Sequence, residues 1–322
     1  MKQVMLERPR RLVMSDVLPP VAGQREVLLR VHRVGVCGTD FHAFHGRQPF
    51  FTYPRVIGHE LGAEVVEAPA NDRGIAIGDH CTVEPYLNCG KCGPCLSGHY
   101  NNCEDIRVLG VHADGGLREF FAAPVDHIYT SSRLSFDQLA LVEPLSIGAH
   151  AATRSGLGSG EQALVVGAGP IGVAVTQLAL AAGARVRVLE TNAYRRALVE
   201  NLGVEALATV DDGLADVVID ATGNPASMAQ SFSRARFGGR IVWVGIVPGT
   251  VPVDDPLFHH RELTLLASRN SAGHFPCVIR MIEAGLMDTA PWITHRLSLQ
   301  EVPSCFEEVT AREGLKTIIE VD

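Results

Sequence analysis

Apolar positions along the chain follow two different rhythms. Through the first third, short runs such as Val27-Leu28-Leu29-Arg30-Val31, Gly62-Ala63-Glu64-Val65-Val66 and His80-Cys81-Thr82-Val83 are separated by turn formers at Pro19-Pro20, Gly35, Gly58, Gly74 and Gly78. Such runs predict strands of a mainly β, antiparallel, barrel-like domain. From residue 163 onward, strand-like runs at Ala163–Val166, Val186–Leu189, Val217–Asp220 and Ile241–Val244 alternate with helical stretches at Val173–Ala182, Arg195–Leu202 and Ala226–Ala235. That alternation predicts βαβ units and a doubly wound parallel sheet, so the fold class is α/β with a second, barrel-like domain. Residues 163–184 are almost wholly apolar and nearly long enough for a bilayer. Four glycines and Pro170 punctuate them where a strand would turn into a helix, so a buried strand and helix are predicted instead of a membrane span. The last strand-like run, Lys316–Val321, predicts that the tail returns to the first domain. The boundaries expected are 1–148, with a lobe at 86–105, then 149–289 for the parallel-sheet domain and 290–322 for the return.

Composition narrows the function. The chain has 322 residues, 46% hydrophobic and 20% charged, which excludes intrinsic disorder and a disulfide-stapled miniature. A net charge of -8 argues against nucleic acid as the main partner, which leaves small molecules. The N-terminal MKQVMLERPRRL has no apolar stretch of the secretory kind, so a cytoplasmic location is expected.

The predicted strand Ala163–Val166 runs into Gly167-Ala168-Gly169-Pro170-Ile171-Gly172 and a helix, and a second strand ends at Glu190 about twenty residues on. In that context Gly167 permits the tight turn, Gly169 lets backbone approach a pyrophosphate, and Gly172 lets the helix pack on the strand. The phosphates would sit at a helix N-terminus, beside Pro170 and Ile171. Glu190 would accept from the ribose hydroxyls and repel a 2′-phosphate, so NAD is favoured over NADP, although Arg195 and Arg196 could accommodate that phosphate. Gly245, just after the strand Ile241–Val244, completes the cofactor candidates.

Cys89-Gly-Lys-Cys92-Gly-Pro-Cys95, with Cys103 seven residues later, has the spacing of a four-thiolate zinc knuckle. Four protein ligands leave no position for water, so this zinc is expected to be structural. Cys37, His59, Glu60 and Glu143 offer the donor types of a second, open zinc site. By themselves they do not single one out, because an isolated cysteine is usually a small buried hydrophobe.

The segments Cys37-Gly38-Thr39-Asp40-Phe41-His42 and Gly58-His59-Glu60, the four-cysteine lobe and the later GxGxxG occur in the order found in the zinc-dependent medium-chain dehydrogenase/reductase family, which the whole chain resembles. Val142-Glu143-Pro144-Leu145-Ser146-Ile147-Gly148-Ala149-His150 resembles the sorbitol and threonine dehydrogenase branch. The segments around Gly46–Phe50, Tyr53–Glu60 and Val108–Gly116 resemble its bacterial starvation-sensing and sugar-acid dehydrogenase members.

This resemblance implies a GroES-like catalytic domain interrupted by a Rossmann domain, with the active site in the cleft between them. Two zinc ions per chain follow, one structural and one catalytic. Cys37, His59 and a carboxylate would hold the catalytic ion, with Glu60 the usual resting ligand and Glu143 close by. The implied reaction moves a hydride from a secondary alcohol of a polyol, sugar or sugar acid to NAD. Thr39 would take the proton from the substrate oxygen and His42 would pass it to water, while Asp40 would fix the His59 tautomer. Phe50, His112, Arg269 and Asn270 are substrate candidates. A homodimer or homotetramer is the family expectation. The alternatives are a non-catalytic zinc- and dinucleotide-binding sensor, or a dehydrogenase of simple secondary alcohols or amino-acid hydroxyls. Two segments, 67–74 and 206–215, are shorter than in the family and read as trimmed surface loops.

Overall fold

A computed structural model describes residues 1–209 and 213–321, so the middle of the shortened segment 206–215 lies outside the described residues. The chain divides into two compact units. One comprises Met1–Glu143, Phe275–Gly285 and Thr289–Asp322, and the other Pro144–His274 with Leu286–Asp288.

The first unit opens with β1 (Lys2–Arg8) and β2 (Arg11–Asp16), an antiparallel pair. β3 (Glu26–Gly35) follows, then a short helix α1 (Gly38–Phe44), β4 (Glu60–Glu67) and β5 (His80–Val83). The small lobe contains β6 (Tyr86–Leu87), α2 (Gly93–Leu96) and β7 (Arg107–Val108). β8 (Phe120–Pro124) and β9 (Ile128–Thr130) return to the main sheet, where β3 pairs antiparallel with both β4 and β8. β3 is apolar at Val27, Leu28, Leu29, Val31 and Val34, all buried, because it is covered on both faces by the core. The 20-residue helix α3 (Phe136–Ser155) contains Pro144 in its interior, and the boundary between the units falls just before that residue.

In the second unit, β10 (Gln162–Val166), α4 (Pro170–Ala181), β11 (Arg185–Leu189), α5 (Ala193–Glu200), β12 (Glu205–Leu207), β13 (Ala215–Asp220), α6 (Pro225–Arg234), β14 (Ala235–Trp243), α7 (Asp255–His260) and β15 (Thr264–Ala267) alternate as the sequence pattern predicts. The six-stranded sheet is parallel throughout, in the order β12-β11-β10-β13-β14-β15. The order reverses at β10, which places the β10–α4 turn at the topological switch point. The apolar segment 163–184 is therefore a central strand followed by a helix, and no helix among the described residues is long and apolar enough to cross a membrane.

The remaining elements belong to the first unit: α8 (Phe275–Glu283), β16 (Ile293–Ser298), α9 (Val302–Ala311) and β17 (Lys316–Glu320). β17 pairs with β3 antiparallel and with β16 parallel, giving the seven-stranded sheet the order β16-β17-β3-β4-β5-β9 with β8 on β3. The last strand of the chain thus lies beside the strand that leads into Cys37.

Candidate active site and metal centres

Cys37 is the N-cap of α1, and a reciprocal pair of bonds fixes it. Its Sγ accepts the Thr39 N–H at 3.5 Å, and Asp40 Oδ2 accepts the Cys37 N–H at 3.0 Å. This capping box orients the thiol at the end of β3. His59 and Glu60 arrive from the adjacent strand, where Gly35 and Glu60 are register partners. Backbone bonds hold their approach: Leu117 N–H donates to Ile57 O at 3.0 Å, Gly116 N–H to Gly58 O at 2.8 Å and Gly115 N–H to Val56 O at 2.7 Å. The segment 108–116 therefore braces the His59 loop. Within it His112 Nδ1 accepts the Val108 N–H at 3.0 Å.

One ligand atom each from Cys37, His59 and Glu60 lies within 4.8 Å of the others, with His59 and Glu60 buried. His59 Nδ1 faces Asp40 Oδ1 at 3.8 Å, beyond hydrogen-bond range, and both atoms are buried without a hydrogen-bond partner. With Nδ1 turned to Asp40, Nε2 is the nitrogen a metal would use. Burial opposes a charged His59, but Asp40, Cys37 and Glu143 outweigh it and raise the imidazole well above its ordinary pKa. Burial likewise raises Asp40. So much concentrated negative charge, with orphaned polar atoms and a thiol, imidazole and carboxylate converging, fits a divalent zinc ion.

Glu143 falls outside that group of three. Its Oε1 accepts the Tyr86 hydroxyl, and burial pushes its carboxyl up to about 7, with Glu60 adding to the effect and His59 opposing it. Burial and Glu143 together raise the Tyr86 phenol. Glu60 itself is held by Lys316, whose Nζ meets its two oxygens at 2.7 and 2.8 Å. Burial works against that ammonium, but Glu60 and Cys37 more than compensate and raise its pKa. Neither Tyr86 nor Lys316 stands out by motif, although a lysine in the apolar run Leu315-Lys316-Thr317-Ile318-Ile319 is a signal that a buried anion faces it. Thr39 and His42 are carried on α1 with Asp40, and His42 is exposed. Partial burial, then Arg47 and His45, lower the His42 pKa. Phe50 is 61% exposed, while Arg269 and Asn270 follow β15 in the other unit.

The second donor cluster is Cys89, Cys92, Cys95 and Cys103, with Cys95 and Cys103 buried. Backbone N–H groups of Lys91 and Cys92 lower the Cys89 thiol to about 7, whereas burial and the neighbouring Cys92 push Cys95 up to about 11. Cys103 Sγ accepts the Cys89 N–H at 3.2 Å and lies 3.9 Å from Cys92 Sγ. All eight cysteines are free, so this is a four-thiol site and not a disulfide pair.

In the second unit the β10–α4 turn has the form a dinucleotide phosphate needs. Gly172 has no room for a side chain, since a Cβ would lie 1.8 Å from Gly167 O, whereas a Cβ on Gly169 would meet nothing within 4 Å. Gly169 is the N-cap of α4 and has no side chain to spend on the first N–H groups, and Pro170 has none to offer, so the remaining donors suit a phosphate. Glu190, buried at the end of β11, accepts the Ala168 N–H at 2.7 Å and the Asn192 N–H at 2.8 Å, which ties its carboxylate to the loop. Arg196 donates to Glu190 O and Thr191 O at 2.9 and 2.6 Å, and Arg195 sits in the first turn of α5. Gly245 runs so close to Gly223 that a Cβ would be 2.4 Å from its backbone.

Residues 23–133 match the alcohol dehydrogenase GroES-like domain family and residues 170–284 the zinc-binding dehydrogenase family. L-galactonate-5-dehydrogenase of Escherichia coli K12 is 38% identical over 335 aligned positions, covering 99% of this chain and 98% of that protein. Among solved structures, an Escherichia coli CFT073 alcohol dehydrogenase (rspB) complexed with NADH superposes with a TM-score of 0.93 at 27% identity, covering 100% of this chain and 99% of that one. A zinc-binding dehydrogenase of Sinorhizobium meliloti 1021 bound to NADP gives a TM-score of 0.93 at 31% identity, covering 99% of each chain. With two dinucleotide-dehydrogenase domains matched in order and a relative aligned from end to end, the chain belongs to the zinc-dependent medium-chain dehydrogenase/reductase family and is an NAD(P)-dependent zinc alcohol dehydrogenase.

Proposed function

We propose that this enzyme oxidises a secondary alcohol of a polyol, sugar or sugar acid, with NAD as the favoured acceptor. The convergence of Cys37, His59 and Glu60 carries the reading, since three protein donors leave a position for a substrate oxygen. The substrate class is supported by the L-galactonate-5-dehydrogenase relative and by the sorbitol dehydrogenase of Bacillus subtilis, 28% identical over 99% of this chain.

When bound, zinc supplies a Lewis acid and the nicotinamide a two-electron acceptor. Cys37, His59 and Glu60 would hold the metal, and Asp40 would keep the His59 ring in place through Nδ1. Thr39, two residues beyond Cys37, would accept the proton that leaves the substrate hydroxyl. His42, one turn further along α1 and exposed, would deliver it to water; the lowered pKa keeps its imidazole unprotonated, and so open to a proton, into more acidic solution. Gly167, Gly169, Ile171 and Gly172 would cradle the pyrophosphate, Pro170 would start the helix behind it and Gly245 would border it. Glu190 would bind the ribose hydroxyls; Arg196 is engaged with backbone carbonyls, which leaves a 2′-phosphate fewer donors and supports NAD over NADP. Cys89, Cys92, Cys95 and Cys103 would hold a structural zinc, giving two ions per chain. Glu143 would stand in reserve beside the catalytic ion, and Phe50, His112, Arg269 and Asn270 would contact substrate. A homodimer or homotetramer in the cytoplasm completes the reading.

The test is near-ultraviolet absorbance of zinc-replete protein given NAD or NADP with polyols, aldoses, sugar acids and simple secondary alcohols. Reduction of NAD with one group of vicinal diols is the expected result. Turnover confined to simple alcohols would overturn the substrate class, and silence with two zincs and bound NAD would favour a sensor. Light scattering on the same sample reads the oligomer.

A further inference from the structure

Between β9 and α8 lies a cavity of about 370 Å³, within the size range of small-ligand sites, and every residue lining it belongs to the first unit. No residue of the proposed zinc or dinucleotide sites lines it. α8 turns one face to the cavity, with Pro276, Ile279, Arg280 and Glu283 at helical spacing. Arg280 and Glu283 are close enough in sequence to pair along that face, but Glu283 Oε1 accepts the Ser131 hydroxyl at 2.6 Å. Arg280 is exposed and has no ion pair or side-chain hydrogen bond among the described residues. The opposite wall carries a second guanidinium. Arg73 donates to Asp126 O at 2.8 Å and to Ile128 O at 3.1 Å and lies over the Tyr129 ring at 5.4 Å, so neutral groups fix it and none of them cancels its charge. β9 ends the order of the seven-stranded sheet. Ser131 N–H bonds His80 O at 3.0 Å and Glu84 N–H bonds His127 O at 2.8 Å, so the alternation of an antiparallel pair turns the N–H and C=O of Thr130, which lines the cavity, away from β5. The buried side chains of Ile75, Ile128 and Ile279 make the floor apolar.

We propose that this cavity binds a small organic anion with an apolar body, a carboxylate or sulfonate carried on a ring or short chain. Arg280 would supply the ion pair, the Thr130 N–H a fixed donor, and the isoleucines with the Tyr129 ring the contact for the body. Two guanidiniums stand here against one carboxylate that is already engaged, a locally positive site in a chain whose net charge is -8. That balance favours an anion over a neutral or cationic ligand of the same shape.

The test is calorimetric titration of zinc-replete enzyme saturated with NAD, which closes the dinucleotide site to aromatic anions, using 1-naphthoate and its uncharged amide. Naphthoate should bind once per chain with a dissociation constant below about 1 mM, and the amide about tenfold or more weaker, the worth of one charge-assisted bond. Arg280→Gln should lose the same factor and Arg280→Glu should abolish binding, both with native circular dichroism because the side chain is exposed. Hydrogen exchange should slow at residues 128–131 and 275–283 when naphthoate is added, and this readout on the native enzyme decides should either variant fail to fold. Absence of heat at millimolar naphthoate, equal binding of the amide, or native affinity in both variants would overturn the proposal. So would protection confined to the glycine loop or to the surroundings of Cys37. A face already covered by a second copy would overturn it too, seen as protection of α8 without naphthoate and as a smaller oligomer of Arg280→Glu in light scattering.

Discussion

Gly35 and Glu60 are partners across β3 and β4, and a Cβ on Gly35 would lie 2.0 Å from Glu60 Oε2 and 2.9 Å from Glu60 Cβ. The carboxylate occupies the volume a side chain at residue 35 would fill. Gly35→Ala must therefore push Glu60 away from Lys316 and from Cys37. Overpacking of this kind costs about 1–3 kcal/mol. The expected outcome is a lower melting temperature with zinc content falling from two towards one per chain. A variant with two zincs and native stability would show that Glu60 has room to move.

How far the sequence carried this site depends on the kind of residue. The four lobe cysteines could be read from their spacing, whereas Cys37 and His59 were singled out only through the resemblance of their segments to the family. The parallel sheet was legible too, since its strands are apolar throughout and its glycine loop sits at the switch point. Gly35, Tyr86 and Lys316 were not, because each matters through a contact across more than twenty residues of chain, and Lys316 meets Glu60 across 256. The helix α3 was also missed, since Pro144 inside it argues against a helix in any local reading. The segment 108–116, which carries the substrate candidate His112, also braces the His59 loop by backbone bonds that no composition reveals.

The four-thiol lobe should depend on its metal. Cys89, Cys92, Cys95 and Cys103 close a loop that has only the short elements β6, α2 and β7 of its own, so the thiolates supply much of its cohesion. Cys92→Ser should lose one zinc and lower the melting temperature by roughly 5 °C or more. Metal analysis with calorimetry reads both quantities, and full zinc content with an unchanged transition would contradict the structural role.

If His42 carries the proposed proton exit, Arg47 tunes its pH dependence. After burial, the Arg47 charge is the largest influence lowering the His42 pKa. His42 therefore accepts protons down to a pH below the ordinary histidine value, and alcohol oxidation should fall off only in more acidic solution. Arg47→Ala removes a positive charge, stabilises the imidazolium and raises that pKa. The acid limb of the kcat/KM profile should move to higher pH in Arg47→Ala and disappear in His42→Ala. An acid limb unmoved by either substitution would assign it to another group.

Glu190 accepts from the glycine loop at Ala168, and in the proposed reading it also accepts from the cofactor ribose. Glu190→Gln keeps one side-chain acceptor for the loop and removes the charge that repels a 2′-phosphate. Loss of a charge-assisted bond worth about 1.5–3 kcal/mol should lower NAD kcat/KM about ten- to a hundredfold. NADP should lose less, so the ratio of the two specificity constants reports the effect. A ratio unchanged from the native enzyme would show that discrimination lies elsewhere.

The chain's return to its first unit is fastened by Asp137, which accepts from Arg33 at 3.0 Å and from Arg296 at 2.5 Å, while Arg296 also meets Glu320 at 2.9 Å. Burial opposes ionisation of Asp137, but the bonds from Arg296 and then Arg33 outweigh it and lower its pKa. A carboxyl whose folded-state pKa lies below its unfolded value stabilises the fold fully above the ordinary aspartate pKa of about 3.9. That contribution fades only as the pH falls through the lower, folded-state value. The groups are partly exposed, so screening limits the network to about 1 kcal/mol. Asp137→Asn should therefore unfold at lower denaturant than the native chain at pH 7. The gap should close in acid and shrink in high salt, and a gap independent of pH would mean that packing of Asp137, not its charge, holds β16 and β17 in place.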